Sequence, residues 1–332
     1  MKSYLLLLTL LAGVLRNAHA ADTYLAVGPG GQRMFSKDGL TWENHTAWGE
    51  PKHDQNDLNC VAFYKGTAYV GGGFFSARMT ATRDAKTWSE GVLPKSSPIF
   101  GLEVLNDTLY AVDLRGKVFK TTDGENWTLV GAAQMPSPTH WIRFTKTGNG
   151  IILGCGDFGP ALAFDPKTEK ITVTHMAGQT VKNPGFRSVA FGNGVFVVCR
   201  QDGLLATTKE GITWKNNETH PERGGITSVV WIGDHFLAVA KEHGILVSKD
   251  GIAWQPEATK LPNAIVKSGD WLYAHGWPPS KVQCSHDGVT WEPMPNEKSY
   301  FVHAVAQGDL AGSGAPPKLP GGNPPQSPSS PK

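Results

Sequence analysis

Six segments of this chain superimpose on one another: residues 36–42 (SKDGLTW), 82–88 (TRDAKTW), 121–127 (TTDGENW), 208–214 (TKEGITW), 248–254 (SKDGIAW) and 285–291 (SHDGVTW). They share the pattern [ST]-x-[DE]-[GA]-x-x-W. Successive tryptophans are 46, 39, 87, 40 and 37 positions apart. The long gap is close to two repeats, and residues 163–171 (AFDPKTEKI) stand where the missing signature belongs, keeping Asp165. Six clear units and one eroded unit make seven. Upstream of each turn the same grammar recurs: a short alternating run, a turn such as Asn193-Gly194, a β-rich run, a glycine-bearing loop and a third run. Four short strands per repeat with turn residues between them specify an all-β, seven-bladed β-propeller.

The repeated residues have local jobs. Glycine supplies the positive φ that a tight hairpin turn demands. The acids Asp38, Asp84, Asp123, Glu210, Asp250 and Asp287 accept hydrogen bonds from turn N–H groups, and the Ser or Thr two residues earlier ties the strand to the carboxylate. The tryptophan on the fourth strand is expected to lie between blades. These acids therefore read as structural.

The chain's ends carry further expectations. Residues 1–20 have a basic start (Lys2), a short apolar core and Ala18-His19-Ala20, the pattern of a signal peptide cleaved after Ala20. A secreted or periplasmic location follows as an expectation. The propeller is expected over 21–309. Its first unit, beginning at TYLAVG, lacks a first strand, and residues 300–308 (YFVHAVAQG) supply an orphan one. Their union would close the ring, with the C-terminal strand innermost. Residues 310–332, rich in Pro, Gly and Ser, read as a disordered tail.

The units resemble the Asp-box, or BNR, repeats of sialidase-like bacterial propellers; GNGVFVV…TTKEGITW is similar to the YGNGxFVAVG…SxDGxTW units of that group. The resemblance spans almost all of 22–309 and implies the propeller fold, in a group that includes glycosidases, lectins and assembly factors. The chain departs from the sialidases themselves. Its start, TYLAVGPGGQRMF, has no Phe/Tyr-Arg-Ile-Pro motif, and its boxes are one residue shorter than S-x-D-x-G-x-x-W.

Blade topology sorts the loops. The turns between first and second strands (a–b) share one rim with the acidic turns; the b–c loops and inter-blade connections share the other, where a ligand is expected. That second rim offers Trp48, His53, His140, Arg143, Arg187, His220 and Arg223 on connections and strand starts, and Arg78, Arg115, Arg200, His243 and Trp277 in b–c loops. Arginine, histidine and aromatic groups suit a polar or anionic ligand, carbohydrate or protein. Convergence of Arg78, Arg115, Arg187 and Arg200 would bind a carboxylate. Asp54, Asp57, Asp157 and Asp202 are the candidate acids if the chain is a sialidase-like hydrolase or acidic-sugar lyase.

The favoured reading is a non-catalytic binding or scaffold propeller, with a structural module of an envelope complex as a further alternative. A formal net charge of +2 gives no reason to invoke nucleic acid. No integral membrane segment, cofactor motif or histidine spacing for a metal is read, and a monomer is expected. Cys60, Cys155, Cys199 and Cys284 read as buried thiols, with no Cys155–Cys199 bridge because the two hold equivalent places on neighbouring blades. The sequons at Asn44, Asn106, Asn126 and Asn217 read as chance.

Overall fold

The computed structural model describes residues 23–47, 56–74, 76–158, 160–175, 185–216, 224–257, 264–275, 282–294 and 302–321. Strands form seven antiparallel sheets of four, the seven blades. The first strands (a) are Leu58–Tyr64, Ile99–Leu105, Phe144–Gly148, Phe186–Gly192, Ile226–Trp231 and Ala264–Ser268 in blades 2 to 7. In blade 1 that place belongs to Ala304–Gly308, which pairs antiparallel with Thr23–Val27. Each a strand lies against the a strands of both neighbouring blades, and Ala304–Gly308 touches those of blades 7 and 2. The C-terminal strand is thus innermost and closes the ring.

The a–b turns are two residues long in blades 2 to 5, with both residues at positive φ: Lys65-Gly66, Asn106-Asp107, Asn149-Gly150 and Asn193-Gly194. That is the geometry whose twist matches paired strands. The acidic turns are built as their chemistry demands. Ser36 Oγ donates to Asp38 (2.8 Å), and Asp38 Oδ1 accepts from the N–H groups of Leu40 (2.8 Å) and Thr41 (2.7 Å). The same net recurs at Asp123, Asp250 and Asp287. In the eroded blade 4, Asp165 accepts from Lys167 N–H and the Thr168 hydroxyl, holding the turn with no tryptophan beyond it.

The core is divided among the seven junctions between blades. Trp88, Trp127, Trp214, Trp254, Trp291 and Trp42 each belong to the apolar cluster formed with the preceding blade. At the junction of blades 3 and 4 Ile171 packs where a tryptophan would be, and Tyr110 meets Phe164 edge-on at 5.3 Å. Polar links stitch the same junctions. Lys65 Nζ donates to Thr122 O, Asn149 Nδ2 to Lys209 O, Asn193 Nδ2 to Lys249 O and Trp271 Nε1 to Asp38 O. In each case an a–b turn region grips the acidic turn of the next blade, which places both on one rim.

All four cysteines are free and buried. Cys155 lies in the apolar cluster between blades 4 and 5 and Cys199 in the next one, between blades 5 and 6, and the two stay unbridged. Burial pushes the Cys199 thiol up to about 12 and raises the other three, so none is a nucleophile at neutral pH.

The tail expectation requires correction. Residues 310–321 are packed against blade 2. Ala311 N–H donates to Gly66 O, Gly312 N–H to Arg83 O, and Arg83 Nη1 to Ala315 O; Val92 N–H then donates to Pro320 O. Leu319, 2% exposed, enters the cluster between blades 2 and 3. The segment crosses the acidic-turn rim and descends past the end of the outer strand Ser89–Gly91, covering an edge that would otherwise be open. Its composition looked solvated, but one leucine and a series of backbone hydrogen bonds anchor it.

Candidate binding site

The opposite rim is shaped by an irregularity shared among blades. In blades 2, 3, 5 and 6 the ladder between strands a and b shifts by one residue at the start of strand a, leaving Asn59, Phe100, Arg187 and Thr227 out of register. Arg143 and His303 stand just before strand a in blades 4 and 1, where their N–H groups donate to Cys155 O and Val27 O. A bulge re-aims a side chain and ends regular pairing. Six blades therefore place one non-ladder residue each at the inner end of this rim.

Three of those residues meet at blades 3, 4 and 5. Arg143 Nε donates to Asp157 Oδ2 at 2.5 Å, and its guanidinium lies 5.3 Å from the Phe100 ring and 5.0 Å from that of Trp141. Arg187 reaches the other oxygen of Asp157 (3.8 Å) and donates to Gln201 Oε1 (2.7 Å). Asp157 is thus bracketed by two arginines from adjacent blades. Arg187 remains 38% exposed, so part of its donor fork faces solvent. Gly185 lets the chain pass here; a Cβ on it would lie 2.6 Å from the Asp157 backbone.

Beside this bridge are polar atoms with no protein partner. His140 is 3% exposed, and neither ring nitrogen is hydrogen-bonded; the Trp141 Nε1 is likewise buried and unpaired. Burial, with His175 nearby, lowers the His140 pKa and keeps the ring neutral. Such groups cost stability unless something supplies a partner. Phe158 stacks on His140 at 6.5 Å, is 40% exposed, and holds φ +60 without being glycine.

The sequence candidates divide accordingly. Arg187, His140 and Asp157 are brought together with Arg143. Arg200 is 6% exposed and closed by a bidentate pair to Asp202 (2.7 and 2.6 Å), so the expected four-arginine cluster loses that member. Arg78 opens the third strand of blade 2, and Arg115 is an exposed b–c residue of blade 3. Asp57 accepts from Gly30 N–H (3.1 Å), stitching blade 1 to the entry of blade 2. Asp157 and Asp202 serve as arginine partners. His243 is exposed in the b–c loop of blade 6. Trp48, His53, Asp54, His220, Arg223 and Trp277 lie outside the described residues. Phe100, Trp141 and Gln201 were missed. Aligning the a strands would have marked Phe100 as the counterpart of Arg187. Among the described residues no group of three or more metal-ligating side chains occurs, and no helix is long and apolar enough to cross a membrane.

Comparisons with known proteins agree on the architecture. Residues 36–183 match the family described as DUF6242 beta propeller domain. No curated protein matches the chain in sequence. Among solved structures it is similar to virginiamycin B lyase from Staphylococcus aureus, at TM-score 0.59 and 13% identity, over 74% of this chain and 86% of that one. It is similar to YCF48 from Cyanidioschyzon merolae at TM-score 0.57 and 19% identity, over 82% and 91%. It is also similar to YCF48 bound to D1 peptide, at 0.55 and 18%, over 75% and 84%. At these identities the likeness establishes the fold alone: the chain folds as a β-propeller of seven four-stranded blades.

Proposed function

We propose that the chain is an exported, non-catalytic binding scaffold whose ligand, a segment of another polypeptide, sits on the b–c rim over blades 3 to 5. The observation that carries this reading is the Arg143–Asp157–Arg187 bridge flanked by Phe100 and Trp141, with unpartnered donors on His140 and Trp141 beside it. A polypeptide offers carbonyl and carboxylate acceptors to the exposed parts of the two arginines, and flat or aliphatic groups to the rings. Of the candidate acids among the described residues, Asp157 and Asp202 are engaged by arginines and Asp57 by a loop N–H, which suits orientation better than proton transfer. That a similar fold, YCF48, has been solved bound to a peptide supports the class of ligand. Export rests on the pattern of residues 1–20.

The test is to probe arrayed peptides and arrayed acidic glycans with purified protein, then repeat with Arg143→Ala and Trp141→Ala. The expected result is peptide hits that weaken about tenfold or more in either variant. Hits confined to glycans would move the ligand to carbohydrate, and hits indifferent to both variants would remove the site. Product release from sialosides or acidic glycans, lost in Asp157→Asn, would replace the scaffold reading with an enzyme.

A further inference from the structure

The opposite rim holds a second feature, independent of the first. Between blades 6 and 7 lies a groove of about 630 Å³. Leu237, Val247 and Val289 give it apolar walls, and Asp250, Glu257 and Asp287 line it with carboxylates. Lys249 and His235 also line it, but His235 is paired with Asp234 at 2.5 Å. Val289 is 46% exposed, and Ile252, on the same acidic turn as Asp250, is 49% exposed.

The acidic turn of blade 6 differs from its counterparts in one chemical detail. In the five other acidic turns the residue before the tryptophan is a threonine or asparagine, which carries a side-chain donor. Thr87 Oγ1 donates to Asp84 Oδ2 (3.1 Å) and Asn126 Nδ2 to Asp123 Oδ2 (2.7 Å); Thr41, Thr213 and Thr290 hold the same place in the turns of Asp38, Glu210 and Asp287. Blade 6 has Ala253 there. Asp250 Oδ1 is taken by Ser248 and two turn N–H groups, and no side chain reaches it from position 253. Asp250 and Ala253 both line the groove. Of the two acidic turns that border the groove, the one in blade 6 has no side-chain donor at this place, and the one in blade 7 has Thr290.

We propose that this groove docks a basic segment of a partner polypeptide, with one arginine or lysine side chain inserted. The charge balance of the lining, three carboxylates against one lysine, selects a cation. The apolar walls match the aliphatic stem of such a side chain, which buries its methylenes while its head pairs. Its N–H donor takes the place that threonine or asparagine fills in the other turns, where a charge-assisted bond is stronger than the neutral one it replaces. The propeller then carries two docking surfaces of different chemistry on opposite rims.

The test uses the full chain and a synthetic probe, a capped Leu-Arg-Leu-Arg peptide, against the same peptide with citrulline for arginine. Binding is read by calorimetry at low and at physiological salt. Arginine peptide should bind, and citrulline peptide should bind at least about tenfold more weakly. Glu257→Gln should weaken binding. Ala253→Thr restores the pattern of the sister turns without altering charge and should weaken it about threefold or more. Because threonine is the residue used by four of those turns, that variant keeps the fold. Equal binding of both peptides, or binding unchanged in both Ala253→Thr and Glu257→Gln, would overturn the proposal. Loss of binding in Arg143→Ala but not in Ala253→Thr would assign the probe to the other rim and overturn it as well.

Discussion

At the scale of residues, the acidic turns show how a small motif sets backbone geometry. Gly39 holds φ +77, and a Cβ on it would lie 2.4 Å from the Trp271 ring. Gly39→Ala should cost about 2–3 kcal/mol, from backbone strain and the clash together. In blade 2 the same place is Ala85 at φ +63. Ala85→Gly should therefore stabilise by about 1 kcal/mol, raising Tm by about 2–4 °C in a thermal melt. The turn acids also imply a pH dependence. The N–H bonds of Thr41 and Thr290 hold Asp38 and Asp287 down at about 2, below the ordinary 3.8. A depressed folded-state pKa contributes stability that is complete above the unfolded value and lost as pH falls through the folded one. Urea midpoints should drop between about pH 4 and pH 2, and less steeply in Asp38→Asn/Asp287→Asn, whose amide oxygens still accept the turn bonds.

At the scale of elements, the segment 310–321 is where composition misleads most. Proline, glycine and serine read as solvent-loving, yet a single leucine decides the outcome, because it fills a junction between blades. Leu319→Ala should cost about 2–4 kcal/mol, and truncation after Asp309 should lower the denaturation midpoint at least as much, with the circular dichroism spectrum retained. The candidate site was legible in part for a related reason. Arg187, His140 and Asp157 announce themselves by type on the expected loops, whereas Phe100 looks like an ordinary strand residue until the ladder shifts beneath it. Arg200 could have been excluded earlier: Asp202 stands two residues on, close enough to claim a guanidinium across a tight loop. Tryptophan loss in blade 4 shows the reverse case, in which one junction dispenses with the motif because Tyr110 and Phe164 fill the space.

At the scale of the whole molecule, the repeat made the architecture readable because each blade obeys the same local rules and buries its apolar face only against its neighbours. The rims were readable for the same reason, since strand order decides which loops meet. What lay beyond reach was the pairing of particular side chains across blades, which depends on the radius at which each loop leaves its sheet. The seam in blade 1 has a consequence for chain connectivity. Gly308 and Thr23 face each other across a strand pair, and in blades 2 to 5 that interval is bridged by two residues such as Asn193-Gly194. The ends of the propeller are in effect a hairpin whose turn has been left out. Joining Gly308 to Thr23 through Asn-Gly and opening the backbone between Gly233 and Asp234 should give a circularly permuted protein with the parent's spectrum and a denaturation midpoint close to that of the parent truncated after Gly308. Failure of that permutant to fold would show that the seam acts as an ordered starting point for ring assembly and is more than an arbitrary place to cut a circle.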